Sequence, residues 1–169
     1  IGIDELKKAL NEKPIAVLLT EPGYLGTISD LPALIGAAHA VDVPVILDAA
    51  WGGHFGFHSS LPPHAFQVGA DALITSTHKA LPGYSASAPL LARTKLLSAE
   101  RLEQSFETTH TTSPAGAPLA SIDGVRALLE SRGEELISEL LDNIHRFKEL
   151  VQAEFPLPIF LYPSDFPAD

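Results

Sequence analysis

Short, wholly apolar runs separated by segments of helical period constrain this chain more than any other feature. "PIAVLLT", "VPVILDAA" and "ADALITST" are rich in aliphatic residues and bounded by Pro, Gly and Asp. A strand with one wet face would alternate apolar with polar residues, so these runs read as buried strands. Between the first two lies "SDLPALIGAAHAVD", a predicted helix capped by Ser29 or Asp30 that tolerates Pro32 in its first turn. "PPHAFQVG" predicts a short helix ending at Gly69 before the third strand. "IDELKKALNE" predicts a helix ahead of the first strand, with Ile3, Leu6 and Leu10 on one face and Asp4 and Glu5 in the first turn. Strand, helix, strand, helix, strand is the order of an α/β fold: a mostly parallel sheet with helices on both faces.

"SASAPLLAR" is a fourth candidate strand. The loop before it, around Pro82 and Gly83, is too short for a parallel crossover, so the strand is expected antiparallel to the third, with Pro89 marking an edge or bulge. From about Leu96 the pattern is helical, in "TKLLSAERLEQSF", "GAPLASIDGVRALLESR" and "GEELISELLDNIHRFKELVQAEF". Leu136, Leu140, Ile144, Phe147 and Val151 form a stripe expected to pack toward the core. "PLPIFLYPSDFPAD" reads as a possible strand followed by a Pro-rich exit.

Composition narrows the function classes. With 169 residues, 46% hydrophobic and 19% charged, a folded domain with a sizeable core is expected. The net charge of −10 opposes nucleic-acid binding, which needs clustered cations. The chain has no cysteine, which removes disulfides and thiolate chemistry and fits the cytoplasm. The apolar runs are too short for a membrane span. A chain that opens on Ile1 and has no methionine is expected to be a piece of a longer product.

In an open parallel sheet, ligands bind outside the carboxyl ends of the strands. Asp48 ends the second strand; Ser76, His78 and Lys79 follow the third. A carboxylate, a hydroxyl, an imidazole and an amine are therefore expected on one edge. A lysine in a partly desolvated pocket loses its proton more readily and becomes a nucleophile toward carbonyls, so Schiff-base chemistry is the natural use. Plainer readings are a solvated lysine, a loop-capping aspartate and turn-forming Ser and Thr. His54 and His58 make an HxxxH pair, but the glycines of "GGHFGFHSS" oppose the helix that would bring both to one metal, and no metal site is expected.

"DAAWGGHFGFHSSLPP" followed by "GADALITSTHKALPG" resembles the large domain of fold type I pyridoxal-phosphate enzymes, an aspartate-aminotransferase-like fold, and within it the Orn/Lys/Arg decarboxylase group. The resemblance extends from "PIAVLLTEPGYLGTISDL" through "TTHTTSPAGAPLASIDGVR". It implies that Lys79 forms a Schiff base with pyridoxal 5'-phosphate, that Asp48 pairs with its ring nitrogen, and that Ala50 packs under the ring. Trp51 is grouped with the cofactor-binding residues, although many relatives carry histidine there. Ser76 and His78 would hold the phosphate directly or through water. Thr111, Thr112 and Ser113 resemble the segment that reaches a neighbouring subunit's phosphate, which implies a homodimer with shared sites. Ala86, where relatives often carry glutamine, and Glu21, where they carry a smaller residue, are departures. Residues 1–155 would be the incomplete large domain and 156–169 the start of a connection to a small domain.

The implied activity is decarboxylation of an amino acid, a basic one (Lys, Orn or Arg) by resemblance. Alternatives are another reaction of the same fold, such as that of an aminotransferase, lyase or desulfurase, or a non-catalytic fragment.

Overall fold

The computed structural model describes residues 1–93, 95–110, 113, 115–155 and 160. Helix α1 (Ile3–Leu10) opens the chain, with the Glu5 carboxylate accepting the Gly2 N–H and Leu6 and Leu10 buried. Strand β1 (Val17–Thr20) leads to helix α2 (Leu31–His39), whose cap is Asp30: its side chain accepts the Ala33 N–H at 3.1 Å. Ser29, the other candidate cap, instead gives its N–H to Glu21.

Strands β2 (Val45–Ala49) and β3 (Ala72–Thr75) continue a parallel sheet, and β4 (Leu90–Ala92) closes it antiparallel to β3, as the short connection requires. The order is β1-β2-β3-β4. The segment before β3 departs from expectation. Residues 65–69 form successive turns with no helix, closed by Gln67 N–H to His64 O and Ala70 N–H to Ala65 O. Pro62 and Pro63 supply no N–H, and Gly69 takes φ +107, so too few residues remain to propagate a helix.

The core lies between α1, α2 and one face of the sheet. Leu34, Ile35 and Ala38 of α2 meet Val45, Leu47 and Leu73, all essentially buried. The α/β class and the mostly parallel sheet are as the sequence implied, and the face of the sheet opposite α2 carries exposed apolar residues. Leu18 is 69% exposed, and Ile74 and Leu90 are exposed as well, although β1 reads as a fully buried strand in sequence.

A contact invisible in the sequence ties the sheet's amino end together. Asp71, buried at the start of β3, accepts the Val45 N–H at 2.8 Å and pairs with His39 Nε2 at 2.7 Å, joining α2, β2 and β3.

Helix α3 (Ala99–Thr109) begins at its Ser98 cap. The two following helical segments are one helix, α4 (Gly116–Glu154), which runs unbroken through Gly133. Its buried line is Val125, Leu129, Gly133 and Ile137, and a Cβ on Gly133 would stand 3.4 Å from Phe57 Cβ, so the small residue lets the helix approach that loop. The predicted stripe is displaced from this line. Leu140, Ile144 and Phe147 are exposed, because the loop that covers α4 reaches only as far as Ser138, where His58 bonds. No helix of the described residues is long and apolar enough to cross a membrane. The expected exit strand falls almost wholly outside the described residues.

Candidate functional site

The carboxyl ends of β1, β2 and β3 emerge on one edge of the sheet, in the register Thr20 beside Asp48 beside Ile74. The residues after each strand meet there. The Glu21 N–H donates to Asp48 O at 2.9 Å, extending the β1–β2 pairing by one residue past the strand.

Asp48 alternates with Val45, Leu47 and Ala49, which are buried on the α2 side, so its side chain belongs to the open face with Ile46. Oδ1 accepts the Ala50 N–H at 3.1 Å; Oδ2 has no hydrogen-bond partner among the described residues. Ala50 is thereby held beside the carboxylate.

Past β3 the chain folds back on itself around one carbonyl. Ser87 O accepts from Thr77 N–H (3.0 Å), Thr77 Oγ1–H (3.3 Å) and His78 Nδ1–H (2.9 Å). The turn closes with Gly83 N–H donating to Thr77 O, and a Cβ at position 83 would stand 2.4 Å from that oxygen, so only glycine fits. Ser76 is 5% exposed, and its hydroxyl makes no hydrogen bond among the described residues. With Nδ1–H committed to Ser87 O, His78 can donate from Nε2 only as the imidazolium. Ala86, in the same loop, adopts φ +67, a region that costs a non-glycine residue about 1–2 kcal/mol.

Lys79 is exposed. The desolvation suggested by the sequence is replaced by a ring contact: its Nζ lies 5.0 Å from the centre of the Trp51 ring. Trp51 in turn meets Tyr24 edge-on, with centroids 5.9 Å apart.

The sequence-derived residues Asp48, Ala50, Trp51, Ser76, His78 and Lys79 thus come to one edge. Ser113 is exposed, and Thr111 and Thr112 lie outside the described residues. The HxxxH pair does not act together. His58 accepts the Ser60 N–H at Nδ1 and bonds Ser138 Oγ through Nε2, while His54 packs edge-on to Phe55.

Three residues at this edge carried little or no signal in the sequence. Glu21 is 6% exposed and its Oε1 accepts the Ser29 N–H at 2.8 Å. Burial raises its carboxyl above the ordinary range, opposed by its bonds to Ser29. Its place before Pro22 was the only hint in the sequence. His54 has a buried Nδ1 without a hydrogen-bond partner among the described residues, and burial lowers its pKa, which favours the neutral ring. Nothing marked Tyr24.

Residues 3–161 match the family described as Orn/Lys/Arg decarboxylase, major domain. The chain is 38% identical over 143 residues to an arginine decarboxylase of Bacillus subtilis (strain 168), covering 83% of this chain and 29% of that one. To an arginine decarboxylase of Halalkalibacterium halodurans it is 35% identical over 155 residues, 90% of this chain and 32% of that one. The chain therefore spans about a third of the length of the curated relatives it matches. Among solved structures, a serine palmitoyltransferase of Sphingomonas wittichii superposes with a TM-score of 0.65 at 15% identity, over 90% of this chain and 39% of that one, a likeness of fold.

Proposed function

This chain belongs to the Orn/Lys/Arg decarboxylase family, and from that premise we propose that it is the cofactor-binding core of an enzyme that decarboxylates a basic amino acid with pyridoxal 5'-phosphate. The observation that carries the reading is the shared edge, where the free Asp48 oxygen at the end of β2 and the Ser76–Lys79 segment after β3 leave adjacent parallel strands together. Pyridoxal phosphate supplies a carbonyl that an amine can capture and a protonated ring that accepts the electron pair left when a bond at the amino acid's α-carbon breaks.

The residues present fit that group. Asp48 Oδ2 offers a carboxylate to a ring N–H, which would hold the ring in its electron-accepting form. Lys79 offers an amine without a hydrogen-bond or ion-pair partner among the described residues. Ser76 brings an uncommitted hydroxyl and His78 an Nε2 that donates as the imidazolium, the donor types a phosphate needs. Ala50 sets only a methyl group beside the carboxylate. Residues 1–155 form the large-domain part in this reading, and Thr111, Thr112 and Ser113 serve a neighbouring subunit in a homodimer.

The test supplies the protein with pyridoxal phosphate and offers arginine, lysine and ornithine separately, measuring carbon dioxide and keto acid. Carbon dioxide from at least one of them is expected, and Lys79→Ala should abolish both this release and the visible absorbance that survives dialysis. No carbon dioxide from any of the three would overturn the reading, and keto acid in its place would mark an aminotransferase.

A further inference from the structure

On the α2 side of the sheet, the face opposite the Asp48 side chain, lies a cavity of about 450 Å³. That volume is within the roughly 300–1,000 Å³ of small-molecule sites. Leu47 and Leu73 of the sheet, Leu31 of α2, and Phe55 and Leu61 of the loop after β2 give it a mostly apolar lining. None of the described residues assigned to the cofactor lines it.

Two titratable residues are part of that lining, Glu21 and His64, and no Lys or Arg joins them among the described residues. Glu21 is 6% exposed, and its carboxylate is held by Ser29 with no ion-pair partner from a Lys or Arg side chain among the described residues. Burial raises its carboxyl because a carboxylate among apolar groups lacks a counter-charge. His64 does not supply one. Its Nδ1 accepts the Phe66 N–H at 3.2 Å, and burial, then the Arg93 charge, lowers its pKa and favours the neutral ring. Arg93 itself lies over the Phe66 ring, outside the lining.

The walls are built before any ligand arrives. Phe55 N–H donates to Gly52 O at 3.0 Å and Gly56 N–H to Pro62 O at 2.9 Å, which closes the loop on itself. Gly52 lets that loop approach the Glu21 segment, since a Cβ there would stand 2.9 Å from Pro22 Cδ. A fixed wall loses little conformational freedom on binding.

A buried carboxylate is stabilised by a cation brought to it, and the net charge of −10 draws cations rather than anions to this chain. A basic amino acid would bring further charges that this lining cannot pair, and an anionic ligand would meet Glu21 as a like charge. We propose that the cavity is a second small-molecule site, which takes an amine with an apolar body and a single positive charge, its ammonium against Glu21. The site goes beyond the decarboxylase reading and does not depend on it.

Titration calorimetry with dimethylhexylammonium tests this. The tertiary ion keeps one N–H for the carboxylate but cannot form a Schiff base with pyridoxal phosphate, so its binding is read apart from the cofactor chemistry. Hexanol, with the same apolar length and no charge, should bind at least about tenfold more weakly, the scale of one charge-assisted hydrogen bond. The diamine with a dimethylammonium at each end should also bind more weakly than the monoamine. Glu21→Gln keeps the shape and an acceptor for Ser29 and should abolish the preference for the amine over hexanol. Ile28→Lys, at a lining position 58% exposed, brings a competing ammonium to Glu21 without threatening the core and should reduce the same preference. Equal binding of amine and alcohol, no binding of either, a diamine as tight as the monoamine, or a preference unchanged by either substitution would each overturn the inference. Absence of carbon dioxide from arginine, lysine and ornithine would overturn the decarboxylase and leave the calorimetric result to decide this site alone.

Discussion

The two faces of the sheet share one backbone and one apolar composition but have different fates. On the α2 side, Val45 and Leu47 have no exposed surface and Leu73 almost none. On the other side, Leu18, Ile74 and Leu90 are exposed, and Asp48 stands among them at the carboxyl edge. The covered face holds the fold together; the open one presents the candidate chemistry. Because successive side chains of a strand point to opposite faces, a run of five residues serves both purposes at once.

The comparison predicts a hierarchy of effects. Leu47→Ala should cost about 2–5 kcal/mol in urea denaturation, since a fully packed side chain leaves a cavity. Ile74→Ala on the open face should cost about 1 kcal/mol or less, and an equal loss for both would break the distinction. Gly83→Ala comes next. It forces a methyl group against Thr77 O, so an overpacking cost of about 1–3 kcal/mol is expected, together with weaker retention of pyridoxal phosphate measured by absorbance after dialysis.

Glu21 sharpens the comparison at the edge where the faces meet. Its folded-state pKa is raised, chiefly by burial, so the protonated form is favoured in the fold. The stability it contributes is fully present below the ordinary carboxyl range and is lost as pH rises through the raised value. Glu21→Gln should therefore flatten that part of the stability-against-pH curve, read from thermal melts between about pH 4 and 8. Identical curves for the two proteins would show that the burial carries no penalty. The smallest effect belongs to α4: Phe147→Ser, at a position 59% exposed, should change stability by no more than about 0.5 kcal/mol.

The candidate site was more legible in sequence than the packing. Asp48 and the Ser76–Lys79 segment could be placed on one edge because strand ends follow from where apolar runs stop, and the short Pro82–Gly83 connection was enough to make β4 antiparallel. Tyr24 gave no such sign, since an exposed tyrosine in a loop looks the same whether or not it meets Trp51. The α4 stripe misled for a related reason. A helical period shows which residues share a face, and the cover over Leu129, Gly133 and Ile137 comes from loop residues more than seventy positions earlier, which happen to end at Ser138.

By itself, then, the sequence determined the strands, the α/β class, the family and the residues that gather at the sheet's carboxyl edge, all properties carried by short stretches of chain. Only the tertiary structure decided which apolar face is covered, that Lys79 lies against an aromatic ring, and that Glu21 is buried beside Ser29. Burial depends on what distant segments bring to a surface, and no local pattern of residues contains that information.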